Sequence, residues 1–243
     1  MVQRALLALL VVAVPLFLVT LAVVWAVNDL RLCRYEFRLQ KVSGETGISE
    51  SQLMSAVVQI RGYFNSRKEP LDVRIELSDQ TRSLFNEREA QHMRDVKRLV
   101  WGVYLTCWVA FAYLLGWLVA GLVSKRRLLL RKWAVQVLWG CGLTVVPIVG
   151  IGLAAWVAFD AVFVLFHRIS FANDLWQLDP TTDYLIRIFP ERFWSDATFF
   201  VGLAAIAMAA VLAMAVAAWL WVTRRRAQEE TDPTANMTKS EVV

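Results

Sequence analysis

Only two imidazoles occur in this chain of 243 residues, His92 and His167, and each stands where a polar segment meets a long apolar run. Histidine is the side chain whose ordinary pKa lies near neutrality, so the pair are the first candidates for proton transfer. Along a helix, Glu89 and Asp95 stand three residues either side of His92 and share its face, with Arg88 and Val96 four away. Carboxylates so placed can hold an imidazole in one tautomer and keep it basic, or can be solvated pairs on a charged juxtamembrane helix. His167 closes an apolar run, where a helix C-terminus also favours a histidine. The loop after it carries Asn173, Asp174, Trp176, Asp179, Tyr184, Arg187 and Glu191, groups able to line a site or, for the aromatics, to sit in an interfacial belt.

Four apolar runs, residues 5–27, 99–123, 133–166 and 197–222, must position these groups. Each reaches the roughly 20 residues that a helix needs to cross a bilayer. With 58% hydrophobic residues and eleven tryptophans, the net charge of +5 calls for no nucleic acid. It sets topology instead: the basic loop 124–132 and Arg224, Arg225 and Arg226 belong inside, and segments 28–98 and 167–196 outside. Both termini are then cytoplasmic and both histidines external. From the basic loop back to His92 is 31 residues and forward from Trp133 to His167 is 34. At 1.5 Å per residue these are about 46 and 51 Å, so two antiparallel neighbours carry their histidines to similar heights. A kink near Pro147, Gly150 and Gly152 would lower the second, and Asp160 in the same run needs a partner or water. The first run is too long for a signal-peptide core and reads as a retained anchor.

Segment 28–98 is patterned as a small folded cap. Residues 30–40 suit a strand or an extension of the first helix. Ser49 opens an amphipathic helix containing Leu53, Met54, Val57, Val58 and Ile60, residues 65–70 make a turn, and residues 71–77 alternate as a strand. Ser83 is read as opening a helix that runs without a break into the second span. Few aromatics make a thin core that leans on the membrane helices. Cys33, Cys107 and Cys141 form no paired pattern, so a disulfide framework is not expected. The tail beyond Arg226 is polar and reads as disordered. The predicted fold is an all-α membrane protein, a four-helix transmembrane bundle with a small mixed α/β extracytoplasmic cap. Its units are the first helix 1–27, the cap 28–98, the second and third spans 99–166, the outer loop 167–196, the fourth helix 197–223 and the tail 224–243.

The segments LFNEREAQHMRDVK (84–97) and FHRISFANDLWQLDPTTDYLIRIFPERFW (166–194), following a YEF and TGIS element, resemble the integral membrane family that includes bacterial lipoprotein intramolecular transacylase. The resemblance covers nearly all the chain up to its tail. It implies a bundle in the plasma membrane with catalytic histidines on the outer face, which fall on His92 and His167. It also implies orienting or substrate-binding groups at Glu89, Asp95, Asn173 and Asp174, to which the loop's own composition adds Trp176 and Arg187 as candidates. The implied partners are a diacylglyceryl-modified lipoprotein N-terminus and membrane phospholipid. The implied reaction moves the sn-2 acyl chain of the diacylglyceryl-cysteine onto that cysteine's own α-amino group. An amine nucleophile removes the need for an enzymic Ser or Cys, and a base must deprotonate it because its ordinary pKa is near 8. His167 as base and His92 as acid or oxyanion donor, or the reverse, would serve. No cofactor or metal is implied; the chain has no HExxH, Walker loop or GxSxG. A non-enzymatic sensor or assembly factor binding lipid or protein through the cap is the alternative.

Overall fold

The computed structural model describes residues 2–77, 80–124 and 127–231. Four helices are long and apolar enough to cross a membrane: α1 (Val2–Asn28), α5 (Glu87–Val123), α6 (Arg127–Ser170) and α8 (Glu191–Thr231). Between them lie α2 (Leu30–Leu39), α3 (Val42–Thr46), α4 (Glu50–Phe64), β1 (Arg74–Leu77), β2 (Gln80–Ser83) and α7 (Tyr184–Ile188). The expected bundle with a small α/β unit is therefore present.

Within the bundle α1 packs against α5, α6 and α8. Leu10, Val14 and Leu18 recur at helical spacing and are buried against Leu114, Ala134, Val137, Cys141 and Ala209. Without water between spans, close packing of small residues supplies much of the association. Gly140 shows this: a Cβ there would lie 2.5 Å from Val14 Cβ and 3.0 Å from the Val11 carbonyl oxygen.

The 30–40 segment is helical, and it is a separate helix from α1 because Asp29 caps it, accepting from the Arg31 amide at 2.9 Å. Ser49 caps α4, accepting from the Gln52 amide. In the 71–77 stretch Leu71, Val73 and Ile75 are buried and Asp72, Arg74 and Glu76 exposed, as the alternation predicts. Its partner β2 pairs antiparallel, Arg74 opposite Ser83 and Leu77 opposite Gln80. Ser83 thus ends a strand, and the helix opens at Glu87. Asn86 and Glu89 form a reciprocal capping box there, each side chain bonded to the other's backbone amide, while Leu84 and Phe85 are buried in the cap.

Phe37, Ile48, Leu53, Ile60, Val73, Phe85 and Met93 share one core with Leu185, Ile188, Phe189 and Phe193. The segment after α6 therefore completes the cap's interior. Pro147 leaves α6 helical; the break comes at Ala158 (φ −149°, ψ 66°), just before Asp160. Asp160 finds its neighbour in the carboxyl group of Glu191 on α8. Residues 127–132 of the basic loop belong to α6, and α8 continues through 224–231, so part of the tail is helical. The remaining tail, 232–243, lies outside the described residues.

Candidate active site

α5 is 37 residues long, about 55 Å, so its first turns rise beyond a 30 Å hydrocarbon layer and carry His92 there. α6 delivers His167 to the same level from the opposite direction, in its last turn. The two ring centroids are 6.2 Å apart with planes inclined at 33°. Both imidazoles are buried, at 6% and 8% exposure.

Nδ1 of His167 lies 2.7 Å from the Phe163 carbonyl oxygen one turn back. A carbonyl only accepts, so Nδ1 carries the proton and Nε2 keeps a lone pair. Nδ1 of His92 is buried and has no hydrogen-bond partner among the described residues. An unpaired buried polar atom costs about 1–3 kcal/mol, which a substrate group at this position would restore.

Aromatic rings wall the pair. Phe163 lies 4.1 Å, Trp176 5.0 Å and Phe166 5.3 Å from His167 by centroid, and Phe171 presents an edge to His92 at 5.1 Å. Trp176 is the expected loop residue that meets a histidine. Phe163, Phe166 and Phe171 were invisible as site residues, because an aromatic in an apolar run carries no distinguishing mark.

The carboxylates do something other than touch His92. Glu89, 1% exposed, accepts from the Asn86 amide at 2.7 Å and from the Leu185 amide at 2.6 Å. Asp95 pairs with Arg98 at 2.9 Å and accepts from Asn173 Nδ2 at 2.9 Å. Arg88 donates to the carbonyls of Asp174 and Gln177 at 3.0 and 2.8 Å, and the Asp174 carboxylate accepts from Gln177 Nε2. Asn86 Nδ2 donates to the buried Asp183 at 2.7 Å. One face of α5 thus straps the post-α6 segment over the histidines. Asn86 and Asp183 were missed in this role; the Asn-x-x-Glu capping signature at 86–89 was the available signal. Arg187 is not brought to the pair: it donates to the Glu45 carbonyl at 3.1 Å and lies over the Tyr184 ring. Among the described residues no three His, Cys, Asp or Glu side chains converge as metal ligands.

The sequence matches the family described as lipoprotein intramolecular transacylase Lit over residues 8–194. An uncharacterized protein of Aquifex aeolicus (strain VF5) is 32% identical over 121 residues, 49% of this chain and 50% of that protein. The chain thus spans about half the length of the curated relative it matches. In solved structures, the membrane integral lipoprotein intramolecular transacylase Lit from Bacillus cereus superimposes with a TM-score of 0.74 at 17% identity, covering 93% of this chain and 98% of that one. A structure of the same protein with a histidine-to-alanine mutation gives 0.74 and 17%, covering 92% and 96%. At this identity the likeness concerns the fold, and it extends over both the bundle and the cap. The match over residues 8–194 takes in both histidine segments and three of the four spans, and on it this chain belongs to the lipoprotein intramolecular transacylase Lit family.

Proposed function

We propose that this multi-pass membrane protein is an acyltransferase that converts diacylglyceryl lipoproteins to the lyso form, moving the sn-2 acyl chain to the α-amino group of the same cysteine. Family membership supports the substrate class, and one observation carries the mechanism: two buried imidazoles 6.2 Å apart, one held as the Nδ1–H tautomer and the other with a free Nδ1. The free Nε2 of His167 takes a proton from the amine, whose nitrogen attacks the ester carbonyl. His92 hydrogen-bonds the developing oxyanion, and the protonated His167 passes the proton it took on to the glyceryl oxygen as the C–O bond breaks. One amide N–C bond forms, one ester C–O bond is lost, and the glyceryl hydroxyl leaves with the proton. Because ester and amine belong to one molecule, the protein's further contribution is orientation.

In this reading the cap 28–98 and loop 167–196 form the outer, substrate-facing unit. The acyl chains enter laterally from membrane phospholipid surroundings, and both termini, with the tail 224–243, face the cytoplasm of a bacterial cell. Glu89, Asp95, Asn173 and Asp174 orient the site through the strap.

The test is mass spectrometry of the N-terminal lipopeptide of a reporter lipoprotein in a host without other N-acylating enzymes. The wild type is expected to convert the free-amine diacylglyceryl form to N-acyl, S-monoacylglyceryl cysteine. His92→Ala and His167→Ala are each expected to lower the rate by about 10²–10⁴, the usual contribution of a positioned acid or base. A diacyl product unchanged by well-expressed wild type overturns the substrate. Conversion unaffected in both variants overturns the two-histidine mechanism, and the non-enzymatic cap is favoured only where wild type itself converts nothing.

A further inference from the structure

We propose that Asn86, Glu89 and Asp183 act as one positioning unit that fixes the distance between the two histidines, an inference that rests on the transacylase reading above. The three side chains touch neither imidazole. Glu89 stands one turn before His92 on α5, wholly buried, and its two carboxylate oxygens accept from different parts of the chain. One takes the Asn86 amide at 2.7 Å, closing the first turn of α5, and the other takes the Leu185 amide at 2.6 Å, at the start of α7. Asn86 Oδ1 accepts from the Glu89 amide at 2.9 Å while its Nδ2 donates to Asp183 Oδ1 at 2.7 Å. The other oxygen of Asp183 accepts from the Asp179 amide at 2.8 Å. Three residues remote in sequence, Asp179, Asp183 and Leu185, are thereby tied to the turn that carries His92.

The segment so anchored begins at His167 itself, through the Phe171 amide bonded to the His167 carbonyl at 2.9 Å. Between these two anchors the chain lays Phe171 against His92 and Trp176 against His167. Its middle is held by Arg88 and Asp95. Loosening the far anchor frees both aromatic contacts to shift, and with them the ring-to-ring distance. Glu89 and Asp183 are buried, so either carboxylate left without its partner loses a charge-assisted bond and cannot turn to water, while Asn86 links them from the exposed rim of the turn.

Exchanging donor and acceptor tests the pairing. Asn86→Asp alone sets one carboxylate against another, and Asp183→Asn alone sets an amide against an amide. Together they restore one donor facing one acceptor, with the cap of α5 intact because Asp and Asn serve equally as N-caps. Turnover of a diacylglyceryl lipopeptide is measured on the four full-length proteins, alongside hydrogen exchange at the Leu185 amide. Each single variant is expected to lose between about tenfold and 100-fold in kcat, the scale of misaligned reacting groups, with KM little changed. Leu185 exchange is expected to quicken in both, and the double variant to recover on both readouts. Single variants that fail to fold beside a folded, active double variant support the pairing equally. Singles with wild-type kcat and faster exchange overturn the positioning role, and identical exchange in all four proteins overturns the clasp. A wild-type protein that transfers no acyl chain sinks the transacylase reading instead.

Discussion

His167 is enclosed by Phe163, Phe166, Phe171 and Trp176, and of these only Trp176 lies on the strap and not on or directly beside α6. Its indole lies at 33° to the imidazole, a contact worth about 0.5–1.5 kcal/mol beyond burial. If that contact sets the direction of Nε2, Trp176→Ala should slow acyl transfer by roughly 3- to 10-fold. Trp176→Phe, which keeps an aromatic face, should stay within about threefold of wild type, since the ring contact survives. Initial rates on a lipopeptide in detergent decide this, and an alanine variant at full rate would show that the indole only covers the site. The histidines themselves were legible because the chain has no others and both end apolar runs. What Glu89 and Asp95 do was not. Helical spacing says which side chains share a face with His92, but not which distant amide will compete for a carboxylate, and Leu185 and Asn173 won that competition.

α5 joins cap and bundle, and one ion cluster sits at the junction. Lys97, nearly buried, donates to the Lys68 carbonyl at 2.7 Å and to Glu69 at 3.2 Å, and lies 4.0 Å over the Tyr63 ring. Burial would raise the Glu69 carboxyl, yet hydrogen bonds from Tyr63, Lys97 and Arg94 outweigh it and hold the group below its ordinary 4.5. A carboxyl depressed on folding stabilises the fold above its unfolded pKa and stops doing so as pH falls through the folded one. Glu69→Gln should therefore melt below wild type at pH 7, and the gap should close as pH drops below 4.5. Thermal melts across that range check it; a gap independent of pH would mean the loss is one of packing. At this scale β1 and the start of α4 were readable from alternation and a serine cap. The Gln80–Ser83 strand was not, because its side chains are all exposed and carry no apolar alternation. The break in α6 also escaped: proline and glycine drew attention to residues 147–152, whereas it falls at Ala158.

For the whole molecule, the distribution of basic residues predicts which way the bundle faces. Arg127, Arg131, Lys132, Arg224, Arg225 and Arg226 gather at the end of the spans away from the cap, and such clusters stay on the cytoplasmic side. The chain carries its own blank for testing this. Cys107 and Cys141 are buried within the bundle, and burial pushes the Cys33 thiol up to about 11, leaving almost no thiolate at neutral pH. The wild type should thus react slowly with a membrane-impermeant maleimide. Arg67→Cys, on the exposed turn of the cap, should label rapidly in intact cells; Ser124→Cys, between α5 and α6, should label only once the membrane is opened. The first site lies next to Lys68, which bonds to Lys97 in the cap half of α5, and the second directly follows the other end of the helix, so one side of the membrane cannot expose both. The reverse pattern would put His92 and His167 on the cytoplasmic side, and the outer-leaflet entry of the acyl chains would fall with it.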